Sequence, residues 1–516
     1  MRGTWWELVV RRADESPDRT MVTDDLGRTL TCRQYRDRAE RVAAALFELG
    51  VRAGATVSWQ LPTAVEAGVL MAALARLNAV QNPVLPVLRE TEVRHILGQV
   101  QPTMLIVPTV WRGFDHEAMA SRLGGEFPLQ VLACSFPVEP DPSAFVVPEG
   151  DPATLPPYEP RDPEALAWIY YSSGSTAAPK GALHNDRSVV AARDGFIYNA
   201  AMRPDDVFPM TYPLTHIGGV TVMSATMTLG ARLLFCTHWD PVTTPQFLAD
   251  NGATILTSAL PMFNAYLAAQ AAHGPEPMFP AARVVFNGGA PVPPSVYFEV
   301  QKQLGCSGVQ SGWGLTECPI ATYSSPDDPE WVIAETTGRP SPGVTVRVVG
   351  LEGQECGLEQ EGELRLKAPQ MFSGYLDSSL DADAFDEQGF FRTGDLGIVH
   401  TGGYVRITGR IKEIIIRNAE NISAPEVENA LATHPKIAEV AVIGVPDART
   451  GERCCAVVAL KSGVTTLTLP EVFEHCMSMQ LAKYKVPEQL EIVDELPHNA
   501  MGKVLKRDLR AHYAAK

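Results

Sequence analysis

A chain of 516 residues exceeds what one hydrophobic core supports and, at about 150 residues per folding unit, implies roughly three such units. Its composition, 45% hydrophobic and 20% charged, excludes a disordered, collagenous or coiled-coil chain. With 43 Lys and Arg against 60 Asp and Glu the net charge is −17, which argues against a surface whose main task is gripping nucleic-acid phosphates or anionic lipid.

At the N-terminus MRGTWWELVV has no sustained apolar run and is followed by Arg11 and Arg12, so no cleavable signal is expected. From Thr31 to Leu49 the residues Tyr35, Ala39, Val42, Leu46 and Leu49 recur at helical spacing, and Gly50 supplies a stop. A short apolar run, Ala55 to Leu61, precedes a second helical pattern from Ala64 to Asn78. A third spans Glu90 to Val100 and leads to a buried strand, Met104 to Val107. This alternation predicts α/β layers. Val138 to Pro163, rich in Pro, Asp and Glu, reads as a surface connection.

Beyond it, the strand Ala167 to Tyr171 opens a second α/β stretch that continues to about residue 320. Its least charged run, Ile217 to Ala231, is shorter than the roughly 20 residues that cross a bilayer, so no transmembrane segment is expected. Between Val344 and Ile416 the pattern changes to short strands and tight turns (VTVRVVG, GELRLK, GGYVRITGR, EIIIR). From Ala424 onward a helix, two strands, a helix and a final strand (LEIVD) make a compact unit. The expected fold class is therefore α/β: a large N-terminal domain of two α/β subdomains plus a β-rich subdomain, with a small α+β C-terminal domain. Residues 414–516 are close to neutral, which leaves the negative charge on the preceding body.

The nine cysteines are scattered and never spaced as CxxC, so neither a disulfide framework nor a zinc knuckle is signalled, and a reducing, cytoplasmic location is expected. Lys occurs 11 times against 32 Arg, and never before Lys180. In such a chain each Lys raises the question of what Arg could not do there, and Arg cannot be a compact, swinging point charge.

The segment Tyr171-Ser172-Ser173-Gly174-Ser175-Thr176-Ala177-Ala178-Pro179-Lys180-Gly181 follows a strand and gathers hydroxyls, Gly and a cation that can meet phosphate oxygens. It is not a Walker A loop, since Gly181 stands where Ser or Thr is required, and it holds no GxSxG nucleophile elbow. Its wording is similar to the YTSGTTGxPKG phosphate loop of the adenylate-forming (AMP-binding) enzyme superfamily. The likeness continues in order through Pro213-Leu214-Thr215-His216, Asn287-Gly288-Gly289-Ala290-Pro291, Trp313-Gly314-Leu315-Thr316-Glu317, Arg392-Thr393-Gly394-Asp395, Gly409-Arg410-Ile411-Lys412-Glu413 and the terminal stretch Pro497 to Lys503. Within the superfamily, ENISAPEVENAL, HPKIAEVAVIGVPD and GERCCAVV resemble bacterial acyl-CoA synthetases of the medium-chain and cyclohexanecarboxylate CoA ligase type.

The resemblance implies three substrates, namely ATP, a carboxylic acid and coenzyme A, with Mg2+ as cofactor. It divides the chain into an AMP-binding domain over 1–409, a hinge over 410–413 pivoting at Lys412, and a mobile C-terminal domain over 414–516. ATP is expected to meet Ser172, Ser173, Gly174, Ser175, Thr176 and Lys180 at its phosphates, and Gly288, Gly289, Ala290, Gly312, Trp313 and Gly314 around adenine, with Trp313 stacking. Asp395 and Arg410 are expected at the ribose hydroxyls. Thr316 meets the α-phosphate and Glu317 holds Mg2+, a hard cation satisfied by one or two carboxylates plus phosphates. Lys503 bridges the incoming carboxylate and the α-phosphate, where stabilising spreading negative charge is the main catalytic task. Asn418 and Ala419 fall where the pantetheine arm runs. Ala177 and Ala419 replace the family's usual Gly at their positions.

His216 is expected to flank the reacting carboxylate, and His216, Ile217, Val220, Thr221, Gly288 and Gly314 to wall the acyl pocket. Relatives that activate amino acids carry Asp at the position of Ile217. An α-ammonium would here lack a partner, which a buried charge does not tolerate, so a fatty, alicyclic or other apolar acid is expected. Two other readings are compatible with the sequence, an acyl-AMP ligase that loads a carrier protein and a catalytically silent nucleotide sensor; intact Glu317 and Lys503 speak against the second. A homo-oligomer is compatible with the sequence as well.

Overall fold

The structure, a computed structural model, describes residues 3–514 apart from 138–140, 142, 173–178, 259, 289–293, 419, 448 and 500–502. Of the residues singled out above, Ser173, Gly174, Ser175, Thr176, Ala177, Gly289, Ala290 and Ala419 lie outside the described residues.

Local sequence accounts for the first helices. Thr31 caps Cys32–Glu48 in a reciprocal capping box with Gln34, and the stripe Tyr35, Ala39, Val42 and Leu46 is buried. Gly50, at φ +96°, lets the chain turn away where other residues would be strained. Val65–Arg76 is buried on every side, as a helix apolar all round must be, and its one buried carboxylate, Glu66, is paired with Arg28. The Tyr35 hydroxyl donates to the Gly68 carbonyl at 2.6 Å, which ties the two helices together.

Three sheets build the body. One has six strands in the order Lys180–Asn185, Leu166–Ser172, Val80–Pro83, Thr56–Trp59, Met104–Pro108 and Gln130–Cys134, parallel except for the edge strand Lys180–Asn185. A second runs Ile255–Ser258, Val284–Gly288 and Val309–Trp313 in parallel, then Thr322–Tyr323 and Arg339–Pro340 antiparallel. The third, of four strands, joins Thr20–Asp24 and Thr29–Thr31 to Val207–Met210 and Arg232–Phe235. An antiparallel sheet follows, made of Thr345–Val349, Gly362–Lys367, Phe391–Val399 and Val405–Arg410. The last sheet belongs to the small C-terminal domain and has its own apolar core around Ile415, Ile422, Val442, Val458 and Cys476.

The architecture is the expected α/β one, with three differences in detail. EIIIR, read with the β-rich run, lies in the C-terminal sheet, where Ile414–Arg417 pairs with Glu420–Ser423 and with Gly451–Leu460. Phe391–Val399 is a strand that the sequence hides, because RTGD interrupts the alternation and the pairing register shifts at Leu396/Gly397. The chain also ends on a helix, Lys506–Ala514, after the strand Gln489–Val493. Among the described residues no helix is long and apolar enough to cross a membrane.

Candidate active site

The conspicuous motifs gather at strand ends, where parallel sheets present their loops. Leu166–Ser172 ends at the start of the Ser/Gly/Thr segment, and Lys180 starts the antiparallel neighbouring strand. Gly288 and Gly312 are register partners at the ends of neighbouring parallel strands. A side chain at Gly312 would enter the ring of Tyr323 at 2.2 Å, and one at Gly314 would meet the Ile320 amide at 2.7 Å. Those two glycines allow the strand to end in a tight turn that carries Thr316 and Glu317, closed by mutual hydrogen bonds between Leu315 and Cys318.

Two residues that the sequence reading did not single out hold this turn. His184, fully buried, lies 2.8 Å through Nε2 from the Thr316 carbonyl and 3.0 Å through Nδ1 from the Ser188 hydroxyl. A carbonyl can only accept, so Nε2 carries the proton, while the Ser188 hydroxyl beside Nδ1 also reaches the Asn185 carbonyl at 2.9 Å. Burial pushes this imidazole down to about 4, so it is neutral at ordinary pH. Tyr375 donates its hydroxyl to Glu317 Oε1 at 2.7 Å. The Glu317 carboxylate is itself buried. Neither contact leaves a trace in local sequence, because the partners are 132 and 58 residues apart.

Asp395 and Arg410 face each other across neighbouring strands, and the Asp395 carboxylate is engaged at both oxygens. Arg410 Nε lies 2.8 Å from Oδ1 and the Trp313 indole Nε1 donates to Oδ2 at 2.8 Å. Each oxygen keeps a free lone pair for a further donor. Trp313 is largely buried among Cys318, Leu364, Leu366 and Val405, so its edge serves Asp395 and its body belongs to the core.

His216 caps Ile217–Leu229, its Nδ1 accepting the Gly218 N–H at 3.1 Å, which leaves the proton on Nε2. Burial lowers this imidazole to about 4 as well. His216, Ile217 and Thr316 border a small cavity of about 20 Å³, with Val84, Leu85, Leu88 and Ile96 as its apolar wall. Two buried hydroxyls on the cavity, Thr215 Oγ1 and Tyr170 OH, have no hydrogen-bond partner among the described residues. The space has room for about one water molecule. Of the other expected pocket residues, Val220 and Thr221 are fully buried in their helix, where the Thr221 hydroxyl donates to the Ile217 carbonyl. Gly288 and Gly314 are exposed.

Lys503 comes to the surroundings of Asp395 and Arg410 from the far end of the chain. Its backbone closes a loop on Asn499, with Lys503 N donating to Asn499 Oδ1 at 2.9 Å and Asn499 N donating to the Lys503 carbonyl at 2.8 Å. Burial and the neighbouring Arg410 guanidinium hold its amine below the usual lysine range, while Glu413 and Asp395 pull the other way. Lys506, one turn on, contacts Glu413 at 3.2 Å and Glu428 at 2.8 Å. Lys412 sits in the short turn Ile411–Glu413, and its carbonyl accepts from Arg510 at 3.1 Å. Asn418, at φ +49°, donates its N–H to the Thr450 carbonyl.

Among the described residues no group of three or more His, Cys, Asp or Glu is placed to hold a metal ion. Glu317 nevertheless fits a divalent cation that takes its other oxygens from phosphates, because it is a buried carboxylate whose Oε1 accepts from a neutral phenol.

Comparison with known proteins agrees with this geometry. The pattern of the family described as AMP-binding enzyme matches residues 9–376, and that of the AMP-binding enzyme C-terminal domain matches residues 426–503. The medium-chain fatty-acid–CoA ligase of Escherichia coli K12 is 30% identical over 98% of this chain and 89% of its own length. The salicyl-AMP ligase / salicyl-S-ArCP synthetase of Mycobacterium tuberculosis is 31% identical over 95% of this chain and 87% of its own. The crystal structure of ATP-bound MatB from Rhodopseudomonas palustris superposes with a TM-score of 0.87 at 26% identity, covering 99% of both chains. The apo form of the same protein, at 27% identity and the same coverage, gives 0.75.

Proposed function

The chain belongs to the AMP-binding enzyme family, and on that premise we propose that it activates an apolar carboxylic acid with ATP and passes the acyl group to coenzyme A. The acid's carboxylate attacks the α-phosphate, pyrophosphate leaves, and the CoA thiol then displaces AMP from the acyl-adenylate. The observation that carries this reading is the position of Lys503, which shares its surroundings with Asp395 and Arg410 although more than 90 residues separate them in the chain. An ammonium there can bridge the two reacting anions. The better match to ATP-bound than to apo MatB supports an arrangement of the C-terminal domain suited to adenylation.

In this reading Asp395 accepts the ribose hydroxyls, steadied at its two oxygens by Trp313 and Arg410. Thr316 meets the α-phosphate, with Lys180 and the Ser/Gly/Thr loop at the β- and γ-phosphates. Glu317 would hold Mg2+, whose charge offsets that of the phosphates when bound. His216 presents Nε2–H to the substrate carboxylate, while Ile217 and the wall from Val84 to Ile96 favour an apolar body. Residues 410–413 are the hinge that brings Asn418 and Ala419 to the pantetheine arm in the second half-reaction. The nine free cysteines, eight of them buried, fit a reducing compartment such as the cytoplasm.

A carrier-protein phosphopantetheine arm is the second acceptor to consider, because the Mycobacterium tuberculosis relative is named for one. A panel of fatty, alicyclic, aryl and steroid-derived acids, assayed for pyrophosphate release and then for acyl-CoA by mass spectrometry, tests the proposal. Pyrophosphate release without acyl-CoA would favour a carrier protein, and no release with any acid would overturn the enzymatic reading.

A further inference from the structure

Lys180 and Glu317 carry opposite charges and approach the same aromatic ring, yet do not pair with each other. The Lys180 ammonium lies 5.0 Å from the centroid of the Tyr375 ring, and the hydroxyl of that ring donates to Glu317 Oε1 at 2.7 Å. Ring face and ring edge suit these two tasks, since the π face attracts a cation and the phenolic O–H is a donor to a carboxylate. A direct Lys–Glu contact at this largely buried spot would be strongly attractive, and would neutralise both groups against each other.

The ring is held to the strand that carries Lys180. Leu183 N donates to the Gly374 carbonyl at 3.0 Å, Ser373 N to the Leu183 carbonyl at 2.8 Å, and Leu376 N to the Gly181 carbonyl at 2.7 Å, so residues 373–376 run along Lys180–Asn185 as an added edge. Tyr375 N donates to Asp381 Oδ1 at 2.9 Å, and the ring packs edge-on against Phe372, centroids 4.8 Å apart. Gly374, at φ +137°, makes the bend, and a side chain there would strike the Asp381 carboxylate at 2.8 Å. The Phe372 N–H in turn donates to the Glu317 carbonyl at 2.8 Å, so one segment touches both charged residues.

We propose that Tyr375 is a positioning residue that separates Lys180 from Glu317, leaving the lysine for phosphate oxygens and fixing the glutamate through Oε1, so that its other oxygen would remain to hold a divalent cation. This rests on the reading of Glu317 as the metal carboxylate. Partners that orient a ligating carboxylate typically change metal affinity 10- to 100-fold when lost.

The test is direct titration of Mn2+ by electron paramagnetic resonance on the full-length protein with α,β-methylene-ATP, alongside metal-free affinity for the same nucleotide. Tyr375→Phe keeps the ring under Lys180 and releases Glu317, so Mn2+ affinity should fall about tenfold while metal-free nucleotide affinity stays within about twofold. Tyr375→Leu removes the ring as well, so both affinities should fall. Circular dichroism confirms that each variant is folded. Unchanged Mn2+ affinity in Tyr375→Phe, with Glu317→Gln weakened, would overturn the role of Tyr375 alone. Unchanged affinity in Glu317→Gln would overturn the metal reading beneath it. An equal loss of both affinities in Tyr375→Phe would show general disruption and also overturn the inference.

Discussion

The Trp313 indole N–H donates to Asp395 Oδ2 at 2.8 Å, a bond that joins the end of a parallel strand to the antiparallel sheet 82 residues later. It connects the residue expected beside adenine to the residue expected at ribose. Trp313→Phe keeps an aromatic face and deletes the donor. We expect AMP to bind about tenfold more weakly, equivalent to about 1.4 kcal/mol, close to the lower end of what a hydrogen bond to a charged group contributes. Calorimetry with 2′,3′-dideoxy-AMP checks the cause, because a ligand without the diol should bind the two proteins alike. If the dideoxy ligand shows the same tenfold gap, Trp313 acts on adenine and not through Asp395.

Lys503 should separate the two half-reactions. Lys503→Ala is expected to lower adenylate formation by more than about 100-fold while leaving thiolysis of a supplied acyl-adenylate largely intact. Equal loss of both would remove the assigned role. The lowered amine also has a pH consequence: the charged form does the work, so adenylation falls as pH rises through the lowered pKa. Arg410 is the foremost neighbouring charge acting to lower it, so Arg410→Gln should move the alkaline limb of the pH–rate profile upward, an outcome read from single-turnover rates between pH 7 and 10.

The helices Cys32–Glu48 and Glu90–Val100 were legible from sequence almost to the residue, because periodicity and, for the first, the capping Thr31 and the terminal Gly50 act within a few positions. The motif residues were legible as a set for a different reason: each has an identifiable chemistry. What holds them was not. His184 reaches Thr316, Tyr375 reaches Glu317 and Trp313 reaches Asp395 only after two sheets are packed side by side. Strand identity likewise says little about sheet membership, which is why EIIIR was assigned to the wrong one.

His184 makes stability depend on pH. Its folded pKa of about 4 lies below the ordinary value of 6.5, so the unfolded chain binds the extra proton first. Its contribution is therefore complete above about pH 6.5 and is lost as pH falls towards 4, a change of about 3 kcal/mol at most. Urea titrations at pH 7 and pH 4.5 should show a smaller pH-dependent loss in His184→Asn than in the parent, whatever the cost of the substitution at pH 7. Parallel losses in the two proteins would mean that the imidazole titrates normally.

Ile217 tests the substrate side. It is 3% exposed and borders the cavity beside His216 and Thr316. Ile217→Asp places a carboxylate without a cationic partner against the apolar wall from Val84 to Ile96, and repels the substrate's own carboxylate as well. We expect kcat/KM for apolar acids to fall at least about 100-fold, or roughly 3 kcal/mol of transition-state stabilisation. Because a buried charge also strains the fold, Ile217→Asn serves as its uncharged control and should lose less. An ω-amino acid, whose ammonium could pair with the new carboxylate, should be penalised least by Ile217→Asp. Unchanged kinetics with apolar acids in the folded Asp variant would place the acyl pocket elsewhere. A uniform loss across all acids, ω-amino acids included, would mean that Ile217 packs the site without reading the substrate.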